Sequence, residues 1–207
     1  MMLKNIVDKL NFFVDITELK EYYNILQTNY AHLDWRYDRC KTDIIKQWED
    51  AANIDPANLL THGWAIQSNL EDLTVPCPPW DISASGTSKY RNTELAFGII
   101  ERLQRVIPNG HRWSISVQPP EGKVSLHSDD SDEMTVWIPI YTNGTVITFL
   151  EDGNEIPYSL DSDGSAYLLD TNIPHFTYNS SLEDRVTIIF RINLDYIDDL
   201  LAVEGLV

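Results

Sequence analysis

The apolar residues of this chain change their rhythm once. From Ile16 to Tyr30, Leu19, Tyr22, Tyr23, Leu26 and Tyr30 recur at steps of three and four, which predicts an amphipathic helix. Thr42–Ala52 predicts a shorter helix ended by Asp55-Pro56, and Thr93–Ile107 another, stopped by Pro108-Asn109-Gly110. The stretch 71–92, with Pro76, Pro78 and Pro79, reads as an ordered loop. After Gly110 the step shortens to two. Arg112–Gln118 sets Trp113, Ile115 and Val117 on one face and Arg112, Ser114, Ser116 and Gln118 on the other. Further strands are predicted at Lys123–His127, Met134–Tyr141, Thr145–Leu150, Glu155–Leu160, Ser165–Asp170, His175–Tyr178 and Arg185–Asn193. Pro119–Gly122, Asp152-Gly153 and Asp163-Gly164 supply turns between them. Short strands at even spacing with no helices between them predict a sandwich or barrel, and Asp195–Val203 a closing helix. The expected fold class is α+β: a single domain over 1–207, with a mainly helical part (1–110) packed outside a β core (111–207).

Composition narrows the function. The 207 residues hold 15 Lys+Arg against 32 Asp+Glu, a net charge of −17. So negative a chain is a poor coat for nucleic acid and a poor ligand for anionic membranes, both of which call for basic residues in excess. With 43% hydrophobic and 23% charged residues it is expected to fold. A chain this long buries roughly 70% of its unfolded surface, so it needs neither disulfide nor metal merely to fold. Cys40 and Cys77 stand far apart in no CxxC pattern, which excludes a zinc finger and predicts two reduced thiols. No apolar run approaches the ~20 residues of a membrane span. Lys4, Asp8 and Lys9 break the N-terminal apolar stretch, so no signal peptide is expected there and the predicted location is cytoplasmic.

The chemistry concentrates in the β part. His127-Ser128-Asp129 ends a strand, where residues i and i+2 point the same way, so an imidazole and a carboxylate project together. With His175 as third member they make a 2-His-1-carboxylate set, which leaves positions open on Fe(II) for a bidentate co-substrate and dioxygen. Alone, His-x-Asp is a common chance tripeptide, and Asp129 equally opens the acidic turn Asp129–Glu133, expected to be solvated. Arg185 opens the last long strand on a face shared with Thr187, Ile189 and Arg191. A guanidinium buried there needs an anion, which a dicarboxylate would provide, with Thr187 adding a hydroxyl; otherwise it is a strand-end cation pairing with Glu183 or Asp184. Asp170, five residues before His175 on a tight turn, is placed to orient the imidazole. Arg112, Ser114, Ser116 and Gln118, if their face turns inward, are candidates for co-substrate or substrate contacts. His32, His62 and His111 lack ligand spacing and read as structural, Trp137 and Phe149 as core, and Asp161–Ser165 as a hairpin turn without the closing glutamate of a calcium loop.

The order His127-x-Asp129, Leu169-Asp170 followed by His175, then Arg185 resembles the Fe(II)/2-oxoglutarate-dependent oxygenases, and within them the aspartyl/asparaginyl β-hydroxylase-like branch that holds the proline cis-hydroxylases. The likeness spans residues 111–193. It implies a double-stranded β-helix (jelly-roll, cupin-like) fold, iron bound by His127, Asp129 and His175, and the distal carboxylate of 2-oxoglutarate bound by Arg185. The implied activity is hydroxylation of a free amino acid or a peptidyl residue, with release of succinate and CO2. The animal aspartyl hydroxylases lack the acidic ligand corresponding to Asp129, so on this point the chain resembles the bacterial amino-acid hydroxylases. The expected partner is a small-molecule or peptide substrate, with neither nucleic acid nor membrane. Two alternatives stand beside this reading: a non-catalytic cupin-like binding module, and a metal-dependent enzyme of the same fold that does not use 2-oxoglutarate.

Overall fold

In the computed structural model the described residues are 5–34, 61–69, 90–129 and 132–207. Within them strand β1 (Val7–Phe13) and helix α1 (Ile16–Asn29) come first, then β2 (His62–Ala65), β3 (Gln67–Asn69), β4 (Tyr90–Asn92) and α2 (Ile99–Val106). The β part follows as β5 (His111–Gln118), β6 (Lys123–His127), β7 (Glu133–Tyr141), β8 (Ile147–Glu151), β9 (Asn154–Tyr158), β10 (Ser165–Leu169), β11 (His175–Tyr178) and β12 (Arg185–Asn193). It closes with α3 (Ile197–Leu201) and β13 (Gly205–Leu206). A seven-stranded sheet runs β13-β1-β10-β7-β12-β5-β2, and a four-stranded sheet β6-β11-β8-β9. This is an α+β jelly roll, a double-stranded β-helix with helices against its larger sheet.

Strand alternation divides the apolar residues into two cores. Trp113, Ile115 and Val117 of β5, with Val186, Ile188, Phe190 and Ile192 of β12, pack with Leu19, Tyr22, Tyr23 and Leu26 of α1 and Ile99, Ile100 and Leu103 of α2. The Trp113 and Phe190 rings stack there at 3.9 Å. Trp137, Ile147, Phe149, Tyr167 and Leu169 form a second cluster, against which Ile189 also packs. Trp137, Tyr167, Leu169 and Ile189 belong to the opposite faces of β7, β10 and β12, turned toward Ile147 and Phe149 of β8 in the smaller sheet. Helix α1 starts at Asp15, whose carboxylate accepts from the Thr17 and Glu18 amides, a cap worth ~1 kcal/mol.

Several elements differ from expectation. The N-terminal part contributes strands as well as helices: among the described residues β1 and β2 extend the larger sheet on its two sides. Residues 7–9 pair with 167–169, and the Val14 amide donates to Gly164 O. Gly164, at φ +94°, has no room for a Cβ against the Val14 carbonyl. The helix expected from Thr93 begins at Ile99, after Gly98 at φ +59°. Tyr90–Asn92 is a strand instead of loop. The helix expected at 42–52 and the loop residues 71–89 lie outside the described residues. Among the described residues no helix is long and apolar enough to cross a membrane.

Candidate metal centre

The site forms where the end of β6 meets the start of β11. His175 pairs with His127 on one side and with Phe149 of β8 on the other. Between the His175–His127 and Thr177–Val124 pairs, β6 holds one residue more than β11, a bulge of the kind that re-aims a side chain. The imidazoles stand 4.3 Å apart, centre to centre. The backbone leaves β6 and returns under the loop before β11, where the Asp129 amide donates to Thr171 O at 2.8 Å. His127, Asp129 and His175 thereby present one ligand atom each, all within 4.8 Å of one another. His175 is buried, Asp129 half-buried and His127 exposed.

Both imidazoles are oriented by one local device. His127 Nδ1 lies 2.7 Å from Ser125 O and His175 Nδ1 2.9 Å from Ile173 O, each a carbonyl two residues earlier. A carbonyl only accepts, so both Nδ1 atoms carry the proton and both Nε2 lone pairs are available to a metal. Burial holds the His175 pKa below the ordinary range, which keeps that ring neutral. For Asp129 burial opposes ionisation, yet the charge of the Arg191 guanidinium, with the nearby Thr171 hydroxyl, outweighs it and holds the carboxyl below its ordinary range. The Thr171 hydroxyl in turn shares a hydrogen bond with that of Thr135 at 2.9 Å.

Asp170 does not orient His175, contrary to expectation. The Ile173 carbonyl does so, and Asp170 instead closes its own turn, its carboxylate accepting from Asn172. The acidic turn is also not solvated at its ends. Asp129 accepts from Arg191 at 2.9 Å, and Glu133 is buried with Oε1 2.9 Å from His111 Nε2. Arg191, Thr171 and Glu133 are site residues that sequence reasoning missed. The available signal is the position of Arg191 on the Arg185–Thr187 face of its strand.

The co-substrate candidates line one face of the larger sheet. Arg185 lies opposite Gln118, Thr187 opposite Ser116 and Ile189 opposite Ser114, so all six side chains turn toward the smaller sheet. Gln118 spans the interior, donating to Thr177 Oγ1 of β11 at 2.9 Å and accepting from Arg185 Nη1 at 2.9 Å. Arg185 is buried and pairs with neither Glu183 nor Asp184. Its other terminal N–H groups donate to the carbonyls of Val146, Thr145 and Tyr178 at 2.9, 2.6 and 3.0 Å. Its Nε–H is buried with no acceptor among the described residues. Burial lowers its pKa to about 10, which leaves it a cation at neutral pH. Arg112 departs from the pattern: between the Ile189–Ser114 and Arg191–His111 pairs β5 carries an extra residue, and Arg112 sits there at φ +56° with Nε donating to the Tyr90 hydroxyl at 2.6 Å. His62 and His111 are satisfied as expected, His62 by Asp34 at 2.7 Å.

No protein-family model and no curated protein matches the chain. Among solved structures it is similar to a 2OG-Fe(II) oxygenase family oxidoreductase from Burkholderia pseudomallei, at 10% identity over 85% of this chain and 90% of that one, with a TM-score of 0.48. It is similar also to a predicted oxalate decarboxylase from Thermotoga maritima, at 17% identity over 44% of this chain and 74% of that one, with a TM-score of 0.31. A cupin domain from Bordetella pertussis matches at 18% identity over 40% of this chain and 80% of its own, with a TM-score of 0.32. These are likenesses of the chain trace, and no residue role is taken from them.

Proposed function

We propose that this chain is an Fe(II)/2-oxoglutarate-dependent dioxygenase that hydroxylates an amino acid or a peptidyl residue. The observation that carries the reading is the convergence of two imidazoles and one carboxylate, with ligand atoms within 4.8 Å. That donor set suits Fe(II) with positions left open. The residues fit the metal, because each Nδ1 is committed to a carbonyl and each Nε2 is left to ligate. Arg185 fits an anion: it is a buried cation among neutral oxygens with one unpartnered N–H.

When bound, iron and 2-oxoglutarate supply the oxidising chemistry, ending in succinate, CO2 and a hydroxylated product. The chain's own residues do the holding. The Ser125 and Ile173 carbonyls fix the two rings, and the Thr171 carbonyl fixes the backbone at Asp129. Arg185 anchors the distal carboxylate by its charge, Gln118 holds the guanidinium in place, and Ser116 and Thr187 offer hydroxyls in the adjoining row of the sheet. Phe149, its ring 5.6 Å from His175, keeps water from that side of the centre. The substrate is a small molecule or peptide met in the cytoplasm, and the net charge of −17 disfavours nucleic acid and anionic membrane as partners.

The test is anaerobic titration with Fe(II) and then 2-oxoglutarate. The expected result is a weak visible charge-transfer band that is lost in His175→Ala and Arg185→Ala. One observation favours a second reading, a metal-dependent enzyme of the same fold that does not use 2-oxoglutarate: the four terminal N–H groups of Arg185 already have protein acceptors. Iron binding without the band would support it. Failure of both to bind would leave a cupin-like binding module.

A further inference from the structure

The carboxylate of the triad is shared with a cation. Asp129 Oδ1 lies 3.9 Å from His127 Nε2 and 2.9 Å from Arg191 Nη2. The Asp129 oxygen within reach of His127 Nε2 is thus the one that accepts from the guanidinium. Outer partners of metal ligands are commonly carboxylates or carbonyls, which make the ligand a stronger donor. A guanidinium acts in the opposite sense, because it draws on the same lone pairs and repels the incoming cation.

Arg191 is itself divided between two carboxylates. Its Nη1 stands 3.8 Å from Glu133 Oε2. The strand register sets this up, since Arg191 pairs with Thr135 and Asn193 with Glu133, next along the same face of β7 and β12. The β5 bulge then brings His111 opposite Arg191, with its Nε2 2.9 Å from Glu133 Oε1. Arg112 Nη1 approaches Oε2 to 3.8 Å from the same strand. Glu133 is therefore anchored by β5, independently of the triad.

Resting on the metal-binding reading of the triad, we infer that Glu133 is a positioning residue for the metal centre: by taking up part of the Arg191 charge it loosens the hold of that guanidinium on Asp129 and leaves the carboxylate free to ligate. Glu133→Gln keeps the shape and an acceptor for His111 but removes the charge. Arg191 then answers to Asp129 alone, and metal affinity falls, on the order of tenfold. Arg191→Gln removes the competing cation and tightens metal binding. In the Arg191→Gln background, Glu133→Gln has no further effect.

Titration with Fe(II) under anaerobic conditions, and with Co(II) followed by its visible absorption, reads these affinities without turnover. Circular dichroism and thermal melts confirm that each variant is folded. The proposal is overturned by an equal Glu133→Gln loss in both backgrounds, which marks a merely structural role, or by no loss in the wild-type background. Should Glu133→Gln not fold, Arg191→Gln alone decides, and unchanged or weaker metal binding overturns the proposal. A wild-type protein that binds neither Fe(II) nor Co(II) removes the reading of the triad and this inference with it. A wild type that binds metal, with no coupling between the two positions, removes only this inference.

Discussion

Strand β12 carries a guanidinium near each end of one face, and the two are treated oppositely. Arg185 is buried and donates only to neutral oxygens, those of Gln118, Val146, Thr145 and Tyr178. Arg191, less buried, is shared by two carboxylates, Asp129 and Glu133. A buried cation is costly unless something answers its charge. At the Arg191 end the protein answers it with its own acids. At the Arg185 end the carbonyl dipoles satisfy the hydrogen bonds and leave the charge for an anion to meet. On the proposed function, the same side chain serves as a co-substrate anchor in one place and as framework around a candidate metal ligand in the other.

The largest effect is expected at Arg185. Arg185→Ala removes donors from four oxygens in or near the barrel interior, and unpaired buried acceptors cost ~1–3 kcal/mol each where water cannot replace the donor. A net destabilisation of about 3 kcal/mol or more follows, read as a lower melting temperature or urea midpoint. Arg185→Lys, with a shorter reach and fewer donors, falls between. Ligand linkage sharpens the contrast: at a hundred times its Kd, 2-oxoglutarate stabilises the iron-loaded wild type by about 2.7 kcal/mol. The same addition leaves Arg185→Ala unmoved. If Arg185→Ala melts with the wild type, the guanidinium is not part of the framework. If it still gains stability from 2-oxoglutarate, the anion is held elsewhere.

Arg191→Gln has a smaller effect on the fold. Its side chain is 18% exposed against 16% for Asp129, so water partly replaces what is lost, and a pair of this kind contributes on the order of 1 kcal/mol. The loss should shrink as salt is raised, whereas that of Arg185→Ala, which contains no ion pair, should not. Melts at low and high salt check both. Equal salt dependence at the two positions would end the contrast drawn between them.

The larger part of the β architecture was legible because alternation in an amphipathic strand reports its buried face directly. Lys123–His127, His175–Tyr178 and Arg185–Asn193 have the expected bounds, and Ser116, Gln118 and Thr187 lie on the expected inner face. Strand β1 escaped because Val7–Phe13 reads as an interrupted apolar stretch, and its pairing is with residues 165–169, far along the chain. The helix expected from Thr93 starts only at Ile99 because Gly98 breaks the backbone without breaking the apolar spacing. At the site, residue type and order pointed to His127, Asp129 and His175. They did not point to what orients the side chains. A backbone carbonyl has no residue signature, so Ser125 O and Ile173 O were invisible and the nearby Asp170 drew the role instead. The Arg191–Glu133–His111 connection depends on a bulge in β5, which shifts the register by one residue and turns His111 to the inner face.

The smallest of these effects is a difference in acid sensitivity between the two ends of β12. Burial opposes the ionisation of Glu133, but the His111 hydrogen bond and the Arg112 and Arg191 charges outweigh it, and its pKa lies below the ordinary 4.5. A carboxyl with a depressed folded pKa contributes stability that is fully present above the unfolded value. As pH falls past 4.5 the unfolded chain takes up a proton that the folded protein refuses, and the contribution is gone once pH passes the lower folded pKa. Asp129 acts in the same direction. The metal-free protein should therefore lose stability below pH 4.5, and Glu133→Gln should lose it less steeply, with Asp129 keeping part of the slope. The carbonyls, amide and hydroxyl around Arg185 do not titrate there, so Gln118→Ala, which disturbs only that end, should lower the whole curve without changing its acid slope. Urea midpoints measured from pH 3 to 6 for the three proteins compare the slopes directly. A Glu133→Gln curve parallel to wild type would mean that the Glu133 charge is answered equally in the folded and unfolded chain, and that the acids at the Arg191 end do not stabilise the fold.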